Sequence, residues 1–276
     1  VIAPLQSLRD GLCGAWCPSL GQSVTLIRDL SRYTNNATIA SGSGSNWVAS
    51  RYGTAVNFNG TSNYASFTPP AASQSGALSV SLWLLCRQLP ANVDDGVLVS
   101  IGSGVNDRLY AAIQTSGGGN RFCFNGYDGV VRGIYSSTTP GPVAVANQWT
   151  HFCGVVSSTG TYTLYINGLS VASATSSLVN VSGAAGAMGA FRTPGRYYNG
   201  LLDDIRLYSR ALLQAEVRLL ATRPSIGLVP QRQRRFYPRK AWINVGETWK
   251  NADTYQNVGG TWKVTVPYIN VGGTWK

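Results

Sequence analysis

The chain has 276 residues, of which 44% are hydrophobic and only 12% charged, with a net charge of +11. That apolar content excludes wholesale disorder, and the length suits one domain of about 210 residues plus an appendage. Thirty-two glycines and few helical periodicities point to an all-β sandwich with many turns. No run of 18 apolar residues exists that would serve as a transmembrane helix.

Residues 1–8 read as an extended N-terminal arm. The start, VIAPLQSL, lacks a charged n-region and a long apolar h-region. Either a leader was removed or Val1 followed an excised Met. Gly11–Trp16 reads as a first strand with Trp16 in the core, and Asp29–Ala37 as a polar loop. The apolar runs Ala55–Phe58 and Tyr64–Phe67 flank Asn59-Gly60, and Pro69-Pro70 stops the pairing. Leu78–Cys86 alternates and becomes apolar on both faces, as a covered central strand does. Val97–Ile101, Leu109–Gln114, Arg121–Asn125 and Val130–Tyr135 supply further strands between Gly-rich turns. Val143–Ala146 leads into a meander of Trp149–Val156, Thr161–Asn167 and Leu169–Ala174. Its Asn167-Gly168 turn is the strongest hairpin signal in the chain, because both residues tolerate positive φ. Leu201–Tyr208 is the last strand, and Ser209 is the expected N-cap of a helix over Leu212–Ala221.

Residues 223–240 read as a basic linker broken by Pro224, Pro230 and Pro238. From Arg223 to Lys276 nine Lys/Arg face only Glu247 and Asp253, so this end carries +7 of the net charge. Such a tail suits nucleic acid, an anionic membrane or an acidic protein surface, and equally a solvated linker. Residues 241–276 hold three units of period 13. Trp242, Tyr255 and Tyr268 fall in register, as do Asn244, Asn257 and Asn270, and Trp249, Trp262 and Trp275. Turning at Gly246-Glu247, Gly259-Gly260 and Gly272-Gly273, each unit forms a hairpin. Asn244 then sits opposite Trp249. Trp242, Asn244 and Trp249 share one face, with Val245, Thr248 and Lys250 on the other.

Five cysteines leave at least one unpaired, and no C-x-x-C spacing offers a zinc site. Cys13 and Cys17 are too far apart for a disulfide if extended. Buried, inert thiols are the expectation. Sequons occur at Asn36, Asn59 and Asn180. A Ser-His-Asp triad would have to use His151, the sole histidine, and no G-x-S-x-G elbow occurs. No phosphate-binding or dinucleotide fingerprint appears, and no specific nucleic-acid partner is expected.

Five segments carry a family resemblance in order. They are GLCGAW at Gly11–Trp16, DLSRYTNNA at Asp29–Ala37, AVNFNGTSNYASF at Ala55–Phe67, W-T-H-F followed by T-L-Y-I-N-G-L-S-V-A-S, and GLLDDIRLYSRALLQAEV at Gly200–Val217. Together they resemble laminin-G-like (concanavalin A-like) jelly-roll domains over residues 9–222. The resemblance implies a two-sheet antiparallel sandwich, with His151 a structural residue and Cys86 and Cys153 at small core positions. Glycosidases of this architecture carry paired carboxylates, typically as E-x-D-x-x-E on one strand. Only Glu216 and Glu247 exist here, and Asp94-Asp95 and Asp203-Asp204 are adjacent pairs whose members diverge if extended. A non-enzymatic role is therefore expected.

The resemblance also implies Ca²⁺ as a cofactor, held by Asp29, Asn35 and Asp203 or Asp204. Arg32, Tyr33, Thr34 and Ala37 depart from the family's glycine-rich loop, and the alternative is that these residues form turns and cap strands. Glycan contacts are expected from loop aromatics, Tyr127, Tyr135, Tyr197 and Tyr198. The terminal repeats resemble those at the ends of bacteriophage virion proteins. The expected role is a virion structural protein, a head decoration, fibre or tail attachment, displaying a lectin-like jelly roll to host-surface glycans. Its docking and oligomerisation would use Trp242, Trp249, Tyr255, Trp262, Tyr268 and Trp275. Arg232, Arg234 and Arg235 would steer it to capsid or tail proteins and sister subunits. The alternative is a secreted or surface carbohydrate-binding adhesin module of a bacterium.

Overall fold

The computed structural model describes residues 8–40, 46–50, 53–91, 96–103, 105–116, 119–136, 142–192 and 195–228, and the strand backbones of the tail between 241 and 275. One compact unit runs to Val229, and a second from Pro230 to Lys276.

The first unit is two antiparallel sheets face to face. One sheet is ordered β14 (Leu169–Thr175), β13 (Thr161–Ile166), β12 (Trp149–Val156), β7 (Leu78–Cys86), β16 (Asn199–Tyr208), β5 (Gly53–Asn59), β4 (Trp47–Ser50), with β1 (Leu12–Trp16) also pairing β16. The other runs β11 (Val131–Tyr135), β10 (Gly119–Tyr127), β9 (Asn106–Ser116), β8 (Val97–Ser103), β15 (Ala185–Met188), β6 (Tyr64–Phe67), β3 (Ala37–Ala40), β2 (Leu26–Ile27). Alternation places the inward residues of each sheet against the other. Three aromatic pairs bridge the layers: Trp16–Phe67 with centroids 4.7 Å apart, Phe124–Tyr162 at 5.9 Å and Phe122–Phe152 at 6.2 Å. Gly154 makes room for the second pair, since a Cβ there would lie 2.3 Å from the Phe124 ring.

The expected meander is present, with φ of 51° at Asn167 and 80° at Gly168. The same dipeptide at Asn59-Gly60 behaves differently. β5 and β6 belong to opposite sheets, so that turn is a corner between layers rather than a hairpin. Asn59 Oδ1 accepts the N–H groups of Thr61, Ser62 and Asn63, and Asn63 Oδ1 accepts that of Asn59. These side-chain bonds replace the ladder the corner gives up.

The helix, α1, covers Gln214–Thr222 and packs Val217 and Leu220 with Leu212 against Cys153, Tyr165 and Tyr208 on the outer face of the first sheet. Ser209 is not its N-cap: that hydroxyl donates to the Gly11 carbonyl. Glu216 closes the first turn instead, its Oε2 accepting the Leu213 N–H at 2.8 Å while Arg210 bridges both carboxylate oxygens at 2.7 Å.

The expected linker start at residue 223 is also corrected. Ser225 N–H donates to Asp204, the Ile226 carbonyl accepts from Arg206 at 2.7 Å, and the Gly227 carbonyl accepts from Arg9 at 3.0 Å. Ile226 and Leu228 pack against the outer-face cluster to which Leu8 and Leu12 belong. Residues 223–228 are thus part of the jelly-roll unit.

The second unit contains three separate two-stranded sheets among the described residues: Ala241–Val245 with Thr248–Ala252, Tyr255–Val258 with Thr261–Val264, and Asn270–Val271 with Thr274–Trp275. Asn244 stands opposite Trp249, Asn257 opposite Trp262 and Asn270 opposite Trp275. Each Asn–Trp pair therefore shares one face of its ribbon. Tyr268, the Gly pairs, Arg232, Arg234, Arg235, residues 1–7 and Asp94-Asp95 lie outside the described residues, as do the side chains of the tail.

Candidate functional site

His151 sits on β12, 1% exposed, its Nε2 3.0 Å from Ser81 Oγ and its ring edge-on to Trp83. Burial pushes its pKa down to about 3, so it is a neutral core residue and a poor base at neutral pH. All five cysteines are buried and free. Burial raises the thiols of Cys13 and Cys17 to about 12 and that of Cys86 to about 11, which removes their nucleophilic thiolates.

The residues named for Ca²⁺ have other work. Asp29 Oδ1 accepts the N–H groups of Ala15 and Ser31, and Oδ2 accepts Ser31 Oγ–H and Asn35 N–H, all within 2.9 Å. The Asn35 carbonyl accepts Trp16 Nε1–H at 2.9 Å. Asp204 faces Arg206 on both oxygens, and Asp203 accepts Asp204 N–H and Ser50 Oγ–H. A divalent cation needs oxygens with lone pairs to give. These carboxylates are surrounded by N–H donors and a guanidinium, so the residues present do not fit the ion. No group of three or more His, Cys, Asp or Glu side chains able to hold a metal occurs among the described residues. Asp29 is instead the keystone of the 29–37 loop, which closes without its glycine by placing Thr34 at φ 54°.

The four aromatics expected to bind glycan separate. Tyr198 is fully buried and is corrected to a core residue. Tyr135 lies in β11, partly buried, with the Arg121 guanidinium 5.1 Å from its ring centroid. Tyr127 is exposed at the other end of the same hairpin, opposite Val131. Tyr197, one residue before Tyr198, lines a cleft of about 500 Å³, within the usual range for small-ligand sites.

Three connections build that cleft. The β5–β6 corner contributes Asn59, Gly60 and Thr61; the segment after β7 contributes Gln88, Leu89 and Pro90; the segment before β16 contributes Arg196 and Tyr197, and the first residue of β16 is Asn199. Asn199 stands opposite Asn59 in the ladder, and Gly60, at φ 77°, lets the corner close on it. A Cβ at Gly60 would come within 2.7 Å of Asn199 Cβ. Asn199 Nδ2 donates to Gln88 Oε1 at 3.1 Å. That bond leaves the Asn199 carbonyl oxygen and the Gln88 amino group as an adjoining acceptor and donor. Alternation along 197–200, out at Tyr197 and Asn199 and in at Tyr198 and Gly200, was the signal that separates the two tyrosines. Gln88 and Asn199 carried no signal in sequence, because only the corner brings them together.

Two antiparallel sheets in this order around one core define a concanavalin A-like jelly roll. Residues 59–218 match the model of the concanavalin A-like lectin/glucanases superfamily, and the chain belongs to that family. Among solved structures it is similar to domain 4 of AbnA, a GH43 extracellular arabinanase from Geobacillus stearothermophilus, in complex with arabinotriose. There the identity is 22%, the coverage 76% of this chain and 98% of that one, and the TM-score 0.58. The binding domain of Paraclostridial Mosquitocidal Protein 1 gives 20% identity, 78% and 52% coverage and a TM-score of 0.58. The binding domain of Botulinum Neurotoxin DC in complex with SialylT gives 11%, 78% and 52%, and 0.54. The chain thus spans about half the length of the toxin binding domains and nearly all of the arabinanase domain. No curated protein sequence matches the chain.

Proposed function

We propose that the chain is a non-enzymatic glycan-binding protein of a bacteriophage virion, with the jelly roll displayed and the C-terminal hairpins docked on capsid, tail or sister subunits. The observation that carries the binding role is the cleft, lined by one aromatic residue and by an adjoining amide acceptor and donor, the groups that meet the apolar face and neighbouring hydroxyls of a sugar. The complexes of the similar structures with arabinotriose and SialylT support this reading. The virion setting rests on the 13-residue repeats, each placing an Asn–Trp pair on one ribbon face. Thirty-six residues are too few for a core of their own, so that face is expected to be covered by a partner.

A glycan array with the full chain and with Tyr197→Ala tests the binding role; loss of binding in the variant is expected, and equal binding by both would remove the cleft from consideration. Truncation after Val229 tests the tail, with the jelly roll staying folded while particle association or oligomerisation is lost. Normal assembly of the truncated chain would end the docking reading. The similarity to a domain of an extracellular arabinanase favours a second reading, a secreted carbohydrate-binding module. Capsid and tail genes beside this one, against secretion or polysaccharide genes, separate the two.

A further inference from the structure

We infer that the jelly roll carries a second, auxiliary sugar subsite, a pocket between the β8–β9 turn and residues 180–182 that takes one neutral sugar unit. Its ligand class rests on the glycan reading above, but its residues are separate from those of the Tyr197 cleft. The pocket holds about 300 Å³, the lower end of the range for small-ligand sites. Ser103, Asn106, Asn180, Val181 and Ser182 line it.

The walls are fixed by bonds that leave the lining groups free. Ser103 and Asn106 face each other in the ladder that closes the β8–β9 hairpin. The 180–182 wall is tied down on both sides. Arg108, buried on β9, donates Nη1–H to the Val179 carbonyl at 2.6 Å and Nη2–H to the Gly76 carbonyl. Val181 N–H donates to the Gln74 carbonyl at 2.9 Å, and Ala184 N–H to Gln74 Oε1 at 3.3 Å. Asn180 Oδ1 accepts Gly76 N–H at 3.1 Å, which orients the amide and leaves its amino group unused. Among the described residues, no hydrogen bond within the fold engages the side chains of Ser103, Asn106 or Ser182. Polar side chains that the fold does not need, on a rim already ordered, make a pre-organised site.

The chemistry of the lining selects the ligand. The two hydroxyls and the Asn106 amide both donate and accept, and the Asn180 amino group donates, which matches neighbouring hydroxyls of a sugar. Among the described residues no charged side chain lines the pocket, so nothing there rewards an ionic group. No aromatic lines it either, so the pocket holds a single unit weakly and gives no retained binding alone. It lies where β8 ends, at Ser103, whereas the Tyr197 cleft lies where β8 begins, beside Gly96. The length of that strand separates the two by about 20 Å. Neighbouring units of one glycan surface can then engage both sites and gain through effective concentration.

The test is a heteronuclear NMR titration of the full chain, made in bacteria because Asn180-Val181-Ser182 is a sequon whose modification would fill the pocket. The ligands are free glucose, galactose, mannose and arabinose, with glycerol as the control. The variants are the double substitution Asn106→Ala with Ser182→Ala, and Tyr197→Ala, with thermal melts confirming the fold of both. At least one sugar should shift the Asn106 and Asn180 side-chain amide signals saturably. Read at Asn180, binding should weaken about tenfold or more in the double variant and stay unchanged in Tyr197→Ala. No saturable shift with any sugar, equal shifts with glycerol, or undiminished binding in the double variant overturns the inference. Tyr197-dependent binding on the glycan array would then leave the glycan reading standing. Shifts that vanish in Tyr197→Ala also overturn it, since one site would account for them. Asn180 shifts beside an array signal that Tyr197→Ala leaves unchanged would keep the pocket and remove the cleft.

Discussion

The Asp204 carboxylate and the Arg206 guanidinium form a buried bidentate pair on β16, with Nε to Oδ1 at 2.8 Å and Nη2 to Oδ2 at 3.0 Å. A strand irregularity makes it possible. Asp204 takes φ 46° and the pairing with β7 shifts between Asp203 and Arg206, so neighbouring acids that would diverge on an extended strand are both buried. The pair also bonds Ser225 N–H and the Ile226 carbonyl, which latch the segment after α1 onto the sheet.

Asp204→Asn should therefore destabilise the fold by roughly 3 kcal/mol, since it leaves a buried guanidinium without its charge partner. Truncation after Thr222 should lower the melting temperature, whereas truncation after Val229 should not. Denaturant titration and thermal melts of the three proteins check this, and an unchanged melt after the shorter truncation would refute the latch.

Asp29→Ala should cost about 2–4 kcal/mol, because four donors lose their acceptor in a buried loop. A chelator should leave the wild-type melting temperature where it is. A drop on chelation, restored by Ca²⁺, would contradict the loop role argued for Asp29.

Adjacent tyrosines should respond differently. Tyr197→Ala should abolish glycan binding with little change in stability. Tyr198→Ala should cost about 3–5 kcal/mol through the cavity left behind. Tyr198→Phe should be neutral or stabilising, because the Tyr198 hydroxyl is buried without a hydrogen-bond partner. A strongly destabilised Tyr198→Phe would show that the hydroxyl is satisfied after all.

Two buried groups oppose each other on acidification. His151 is lowered from 6.5 to about 3 by burial, so the unfolded chain takes up its proton first. Its contribution is fully present above pH 6.5 and is lost as the pH falls towards 3, at about 1.4 kcal/mol per pH unit. Burial raises Asp203 from 3.8 to about 6, so its contribution is fully present below 3.8 and is lost as the pH rises through 6. The two trends offset one another between pH 6 and 3.8, and below 3.8 only the histidine loss continues. Stability should be nearly level across that window and then fall. In His151→Gln it should instead rise as the pH drops from 6 to 3.8, and a level curve for the variant would refute the assignment.

Much of the architecture was legible locally. Alternation over Leu78–Cys86 and the Asn167-Gly168 turn specified the central strand and the meander, since period-two burial and positive φ are properties of a few consecutive residues. The structural role of His151 followed from the family resemblance, which places a structural histidine at that position of the central strand, and its burial agrees. The Asn–Trp register of the tail hairpins was readable for the same reason: a two-residue turn sets the pairing.

What the neighbours of a strand are is a different matter, and only the tertiary structure decided it. Asn59-Gly60 has the same signature as Asn167-Gly168, yet it joins opposite layers, because β5 pairs with β4 and β16 while β6 pairs with β3 and β15. That corner, closed by Gly60 on Asn199, assembles the cleft from segments up to 140 residues apart in number, Asn59 and Asn199 among them. The sequence by itself determined strands and turns, because those depend on backbone preference and periodicity. The fold alone decided that Asp29 serves a loop and that residues 223–228 belong to the sandwich. Each of those outcomes depends on a partner distant in sequence, and no local pattern encodes such a partner.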